Sequence, residues 1–158
     1  LDSTYPIYLF KFINIHPATD GTAFSFQGNA AGGSGYNETI TSTVFQAQHN
    51  ESGGTANLTY VTSMDQAQGT SFQQIGLSVG NDNDQSFVGS LFLFNPSSTT
   101  FVKHFLATTQ EYYSSDYSKR YFVGGYFNTT SAIDEIQFKF ASGNMDSGTI
   151  KLYGIKDS

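Results

Sequence analysis

Three tyrosines lie close together in one polar segment of this sequence, at Tyr112, Tyr113 and Tyr117. Aromatic side chains exposed on a loop stack on sugar rings or fill a protein interface. The competing interpretation is that such tyrosines pack over a sheet edge or at a subunit seam, which is their more common use. The chain has no tryptophan, the residue that sugar-binding modules most often use. We therefore take the three tyrosines as candidate binding residues of a surface aromatic type.

Metal chemistry has one candidate segment, the run Asn81-Asp82-Asn83-Asp84. Oxygen-rich loops suit hard cations, so Asp82 and Asp84 are the candidate calcium ligands. The run lacks the glycine and the distal glutamate of a helix-loop-helix calcium site, and a solvated turn between strands is the competing interpretation. The three histidines lie in separate segments without a ligand-type spacing, and the chain has no cysteine. We expect no bound metal and no cofactor.

Catalytic patterns are missing from the sequence. Asp134 and Glu135 are adjacent in a predicted strand and therefore point to opposite faces, unless a bulge intervenes. No GxSxG nucleophile elbow occurs, and the glycine-rich run at 28–35 lacks the Lys-Ser/Thr pair of a phosphate-binding loop. The sequence therefore predicts a protein that is not an enzyme.

Composition limits the class of partner. The 158 residues suit one domain over 1–158, and 13 acidic against 7 basic residues give a net charge of −6. An acidic surface repels phosphate backbones, so nucleic-acid binding is not expected. The absence of cysteine excludes a disulfide framework. No apolar run approaches the roughly 20 residues of a membrane helix, so membrane insertion is not expected.

The elements that position these residues are predicted to be strands. Aromatic and β-branched residues alternate with polar ones in short segments separated by Gly, Asn, Asp and Pro turns. The predicted strands before the last segment are 8–13, 23–26, 39–45, 58–61, 75–79, 88–94, 101–106 and 120–127. Segments 63–74 and 108–119 are long for loops, and a helical turn in either stays open. The prediction is an all-β, antiparallel, jelly-roll-like β-sandwich of about ten strands.

The last 27 residues give the clearest strand pattern. Ile136, Phe138 and Phe140 alternate with polar residues, a turn-rich segment follows at 141–148, and Ile150 and Leu152 resume the alternation. The pattern predicts a terminal β-hairpin with a fairly long connection.

Several strings, in one order over nearly the whole chain, resemble a domain of structural proteins from marine tailed bacteriophages, cyanophage-like proteins labelled tail-fibre-like or virion-associated. These strings are YLFKFINIHPATDG at 8–21, GSGYNET at 33–39, DQAQG at 65–69, FNPSS at 94–98, FVKHF at 101–105, GYFNTT at 125–130 and the closing segment. Members of that family tend to extend further at the N-terminus, so residues 1–158 could form the C-terminal part of a longer chain. The resemblance implies no catalytic residues.

The resemblance and the composition together predict a non-enzymatic virion structural protein on the surface of the phage particle. The first form of this prediction is a tail-fibre-like head or receptor-binding domain whose loops touch a host surface glycan. The alternatives are a capsid decoration protein and a free-standing carbohydrate-binding module, which would be a monomer with an aromatic platform on one sheet face. A glycan-cleaving enzyme would need a carboxylate pair in a groove, and Asp116, Asp134 and Glu135 are poorly placed for it. Expected partners are other virion proteins and further copies of the chain, as a trimer, because aromatics exceed the needs of a small core.

Overall fold

The computed structural model describes residues 1–156, so positions 157 and 158 of the predicted domain lie outside the described residues. Eleven antiparallel strands make up its regular structure. They are β1 (Ile7–Pro17), β2 (Thr22–Ala30), β3 (Ile40–Asn50), β4 (Ala56–Tyr60), β5 (Ala67–Gly69), β6 (Gln73–Val79), β7 (Phe87–Phe94), β8 (Lys103–Tyr113), β9 (Tyr117–Phe127), β10 (Ile133–Phe140) and β11 (Met145–Ile155). Within residues 1–156 no helix is long and apolar enough to cross a bilayer. The prediction of an all-β antiparallel fold is confirmed.

The strands form two layers that meet at one joint. One layer, the small sheet, has the order β10-β2-β6. The other, the large sheet, has the order β11-β1-β7-β8-β9-β3, with β4 and β5 paired to the far side of β3. The backbone of β6 pairs with that of β8 only at Val79 and Tyr113. The arrangement is consistent with a β-sandwich, and the jelly-roll connectivity stays a prediction.

Phenylalanine rings from the facing strands fill the space between the layers. Phe24 of the small sheet has ring centroids 5.6 Å from Phe12 and 5.0 Å from Phe87 of the large sheet. Phe26 lies 5.1 Å from Phe105 with the rings perpendicular, which is the edge-to-face geometry that aromatic quadrupoles favour. All five rings are almost fully buried, so a continuous aromatic core holds the two sheets together.

The segment 108–119 is neither a long loop nor a helical turn. It contains the end of β8, a three-residue turn at 114–116 and the start of β9, which pair in register from Lys103–Phe127 to Tyr113–Tyr117. The other doubtful segment, 63–74, contains the short strand β5 and the start of β6, also without a helical turn.

The predicted terminal hairpin is wrong. Strand β10 pairs with β2 in the small sheet, whereas β11 pairs with β1 in the large sheet, so the two final strands belong to different layers. The connection at 141–144 crosses from one layer to the other, with Gly143 at φ 68°. Phe138 of β10 and the half-buried Ile150 of β11 both pack on the core, and this crossing allows them to do so from opposite sheets.

Gly28 lies inside a strand where a turn was expected. Strand β2 continues to Ala30, and its backbone pairs with β10 through Gly28 and Ile136. A Cβ atom at position 28 would lie 3.1 Å from atoms of both Phe127 and Ile133. The glycine therefore allows close packing of β2 against these side chains rather than a change of chain direction.

Candidate functional site

A cleft of about 380 Å³ lies beside the end of the β8–β9 hairpin, on the face of the large sheet turned away from the small sheet. We call that face the outer face. The cleft brings together two of the three candidate tyrosines, Tyr112 and Tyr117, and one candidate calcium ligand, Asp84, which precedes Tyr112 by 28 positions in the sequence. Its lining residues are His49, Asn50, Glu51, Asp84, Ser86, Val88, Gln110, Glu111, Tyr112, Tyr117 and Ser118.

Tyr112 is held in this cleft by carboxylates. Its hydroxyl donates a hydrogen bond to Oε1 of Glu51 at 2.8 Å and lies 3.5 Å from Oδ1 of Asp116. The hydrogen bond to Glu51 raises the pKa of Tyr112 to about 12, so the phenol stays protonated at neutral pH. The residue is half-buried, and its ring therefore offers a fixed apolar surface beside hydrogen-bonding groups.

Tyr113 and Tyr117 have a different setting from Tyr112. Their rings contact each other edge to face, with centroids 5.9 Å apart. The ammonium group of Lys119 lies 3.3 Å from the centre of the Tyr113 ring and 5.5 Å from that of Tyr117, which is a cation–π arrangement. Tyr117 also lines the cleft, but Tyr113 does not. Tyr113 therefore packs against neighbouring side chains at the sheet edge, as the competing interpretation proposed.

The tight turn between β8 and β9 fixes the position of the cleft. Asp116 adopts a left-handed conformation with φ 62°, which aspartate tolerates better than most residues, and its N–H donates to the Tyr113 carbonyl at 2.9 Å. The Asp116 carbonyl accepts a hydrogen bond from the N–H of Glu51 at 3.0 Å. Because Glu51 follows β3, this contact ties the β3–β4 turn to the β8–β9 turn and aligns both with Tyr112.

Asp82 and Asp84 lie in a turn between β6 and β7. The N–H of Gln85 donates to the Asp82 carbonyl at 2.9 Å, and the Gln85 side chain accepts from the N–H of Asp82 at 3.2 Å. His16 lies 2.8 Å from Asp146, which raises the pKa of His16, and its other ring nitrogen lies 3.2 Å from the Asp82 carbonyl. Residues 1–156 contain no group of three or more His, Cys, Asp or Glu that could hold a metal ion.

Asp134 forms a β-bulge in β10, directly before Glu135. The pairing of β10 with β2 shifts between Ile133 and Glu135, so Asp134 is the extra residue of the strand. Glu135 accepts hydrogen bonds from Asn29 at 3.1 Å and from the Tyr36 hydroxyl at 3.2 Å. These contacts hold the Glu135 carboxylate at the edge of the small sheet, away from the cleft residues.

A buried polar cluster formed by Glu111, Lys119 and Tyr121 was not predicted from the sequence. Charged residues such as Glu and Lys are usually exposed. Glu111 is fully buried between the sheets and accepts hydrogen bonds from the Tyr121 hydroxyl at 2.7 Å and from the N–H of Leu77 at 2.9 Å. Burial raises the pKa of Glu111 to about 7, and it lowers the pKa of the nearby Lys119. The one sequence signal was the opposite charge of Glu111 and Lys119, which lie directly opposite each other in the β8–β9 hairpin.

Aromatic rings also cover part of the outer face, near the free edge formed by β4. Phe45 and Phe122 stack with centroids 4.8 Å apart and planes within 10°, and Phe45 remains 43% exposed. Tyr60 of β4 lies opposite Phe45 in the register and is 50% exposed. These three rings form a platform of the kind that stacks on flat, apolar faces of a ligand.

Comparison of the chain with protein-family models, with curated proteins and with solved structures finds no match.

Proposed function

We propose that this chain is a non-enzymatic structural protein of a tailed-phage particle, in the form of a tail-fibre-like head or receptor-binding domain. It contacts a glycan of the host surface through the cleft at the β8–β9 turn, assembles with other virion proteins and associates with copies of itself, with a trimer as the favoured form. The phage assignment comes from the sequence resemblance, and the glycan-binding part from the cleft.

The observation that carries the glycan-binding part is the setting of Tyr112. Its hydroxyl donates a hydrogen bond to Glu51, and the polar residues Asn50, Asp84, Ser86 and Ser118 line the same cleft. Sugars present both an apolar ring face and many hydroxyl donors. A fixed aromatic ring bordered by acceptors matches these two requirements in one cleft of about 380 Å³.

A free-standing carbohydrate-binding module is the second candidate. The stacked Phe45 and Phe122 rings, with Tyr60 beside them, form an aromatic platform on one sheet face, which this class predicts. The two candidates bind the same class of ligand but differ in location and assembly, because a free module would be a monomer in solution and would not be part of a particle.

Immunogold electron microscopy of phage particles, with antibody raised against this domain, tests the location. Label at fibre tips supports the receptor-binding form. Label over the capsid shell identifies a decoration protein instead, and the receptor-binding form is then wrong. Particles without label, together with a monomer by light scattering, favour the free carbohydrate-binding module.

A glycan array probed with the purified domain tests the ligand class separately. The variant Tyr112→Ala is expected to lose most of the signal, because it removes the ring and leaves Glu51 without its hydroxyl partner. Tyr126→Ala is a matched control, since Tyr126 lies on the outer face of β9 but does not line the cleft. Equal loss in both variants would contradict the assignment of the cleft.

A further inference from the structure

On the outer face of the large sheet the strands carry few acidic residues, whereas the loops at their ends carry Glu51, Asp84 and Asp116. The chain carries a net charge of −6, yet in β1, β3, β4, β7, β8 and β9, all of which lie within the described residues, Glu111 is the sole carboxylate, and its side chain is buried inward. In β11 the described residues add Asp146, which contacts His16. The same face exposes the cations Lys11, Arg120 and Lys151.

The strand register places these cations and the aromatic platform in one continuous row. Across seven strands the row runs, in order, through Lys151, Lys11, Ser90, Thr108, Phe122, Phe45 and Tyr60. At a strand spacing of ~4.8 Å this row is about 29 Å long. Arg120 lies two residues from Phe122 on the same strand and face, with its guanidinium carbon 5.1 Å from the centre of the Phe122 ring.

Lys11 and Lys151 lie directly opposite each other in the β1–β11 register. Like charges in directly opposed positions destabilise a sheet, and the salt bridge found among residues 1–156, between His16 and Asp146, involves neither lysine. An anionic ligand would remove this repulsion. A second copy of the chain packed face to face would increase it, because its own outer face presents the same cations.

The groove between Lys11 and Arg120 has the lining of a site for a hydroxylated anion. Its volume is about 510 Å³, and Ser90, Thr108 and Gln110 supply hydroxyl and amide groups along its floor. Arg120 presents a planar guanidinium, which pairs with a carboxylate through two parallel hydrogen bonds. The groove shares Val88 and Gln110 with the cleft of Tyr112, so the two depressions are adjacent.

We infer that this groove binds an acidic polysaccharide, with the carboxylate of a uronic-acid unit between Lys11 and Arg120. This inference rests on the proposed glycan-binding function. Neighbouring units extend along the row, where Phe122 and Phe45 stack on sugar faces. The chain continues past Gln110 into the Tyr112 cleft, whose carboxylates Glu51 and Asp84 accept hydrogen bonds from the hydroxyls of a neutral unit. Polyphosphates fit less well, because the acidic remainder of the molecule repels a long and densely charged chain.

Titration calorimetry with polygalacturonate, its fully methyl-esterified form and a neutral galactan tests the inference. We expect the unmodified domain to bind polygalacturonate at least tenfold more tightly than the ester or the galactan, and more weakly as salt rises. The variants Lys11→Gln and Arg120→Gln should each lose about tenfold in affinity for polygalacturonate, and with it most of the preference for polygalacturonate over the neutral galactan.

Lys139→Gln is the matched control, because it removes the same charge from the small sheet, where Lys139 lies 3.8 Å over the Phe72 ring. A loss in Lys139→Gln equal to that in Lys11→Gln would overturn the inference and reduce the effect to net charge. Equal binding of all three polysaccharides would also overturn it, while leaving the proposed glycan-binding function intact. No binding to any of the three, with hits among other neutral glycans on the array, would overturn the acidic-ligand inference alone. An array without hits would reject the glycan-binding function as well.

Discussion

Glu111 and Tyr112 are neighbours on β8, and their side chains lie on opposite faces of the large sheet. Glu111 points inward, is fully buried and accepts hydrogen bonds from the Tyr121 hydroxyl and from the N–H of Leu77. Tyr112 points toward the outer face, where its ring borders an open cleft and the groove between Lys11 and Arg120 begins. The inner side supplies hydrogen-bond donors to its carboxylate, whereas the exposed lysines Lys11 and Lys151 of the outer face have no salt-bridge partner among residues 1–156.

The difference shows that a perturbed pKa does not by itself mark a functional site. Glu111 has the largest upward displacement of a carboxyl pKa among the described residues, yet it lies at the joint between the two sheets. Its carboxylate accepts from the N–H groups of Leu77 and Ser78, where the β6 and β8 backbones are paired only at their ends. The Glu111 side chain thus replaces missing backbone hydrogen bonds between β6 and β8, which is a structural role.

The largest expected effect comes from removing the inner carboxylate. Glu111→Ala leaves the N–H groups of Leu77 and Ser78 and the Tyr121 hydroxyl without their buried acceptor, and we expect a loss of roughly 3–5 kcal/mol in the free energy of unfolding. The matched control is Gln110→Ala on the outer side of the same strand, with an expected loss below about 1 kcal/mol. Urea denaturation measures both, and similar losses would contradict the division between the two sides.

The pH dependence of stability sharpens the same comparison. The pKa of Glu111 is about 7 in the folded protein, against an ordinary value of 4.5, so between these values the folded state binds a proton that the unfolded state has released. Stability must therefore fall as pH rises from 4.5 to 7, by on the order of 3 kcal/mol. His16 changes stability in the same direction, because its pKa is also raised on folding.

Glu111→Gln separates the two contributions to this pH dependence. The variant keeps the shape of the side chain without a titrating proton, and it should lose most of the fall in stability between pH 4.5 and 7. A series of urea melts at half-unit pH steps measures the fall. An unchanged pH profile in Glu111→Gln would show that another group causes it.

Tyr121→Phe should have an intermediate effect. The Tyr121 hydroxyl is fully buried and donates the shortest hydrogen bond that Glu111 accepts, at 2.7 Å. Its removal should cost about 1–2 kcal/mol at neutral pH and raise the pKa of Glu111 further. The upper end of the pH transition would then move above 7 in the same urea series, whereas a transition that stays in place would rule out this contact as a cause.

The smallest effect is expected on the outer face. Lys151→Gln removes the repulsion across the Lys11–Lys151 pair and loses no side-chain hydrogen bond or ion pair with residues 1–156, so stability should rise by up to about 0.5 kcal/mol at low salt. The gain should disappear in 0.5 M salt, where exposed charges are screened. A clear loss of stability instead would mean that Lys151 has a structural partner in the folded protein.

Local alternation was enough to predict most strands of the fold. It succeeded where one face is apolar, as in β1, whose Phe10 and Phe12 are buried while Lys11 is exposed. It failed for the β8–β9 hairpin because both faces there carry polar residues, the inner ones being Glu111 and Lys119. Their burial depends on Leu77 and Tyr121, which no local pattern can bring together. The closing hairpin failed for a related reason, since alternation gives strands without stating which sheet each strand joins.

The candidate site was predicted in part. Tyr112 and Tyr117 do line a cleft, and Asp84 lies there with them. Gln110, Glu111 and Ser118 come from the same hairpin as the tyrosines. The other members lie at or next to the ends of β3 and β7, and only the sheet register places them beside β8. The row from Lys151 to Tyr60 was equally hidden, because its residues are spread from the first strand to the eleventh and become neighbours only through the register.

The pairing of β1 with β11 has a consequence for how the chain folds. Ile7 lies opposite Ile155, so the first and last strands pair with each other at one edge of the large sheet. The paired residues are separated in sequence by almost the full length of the described chain. Contacts between such distant residues raise the contact order and slow folding. During synthesis β1 can pair with β7 early, but its other edge stays open until β11 leaves the ribosome, and in that interval it is exposed to pairing with neighbouring nascent chains.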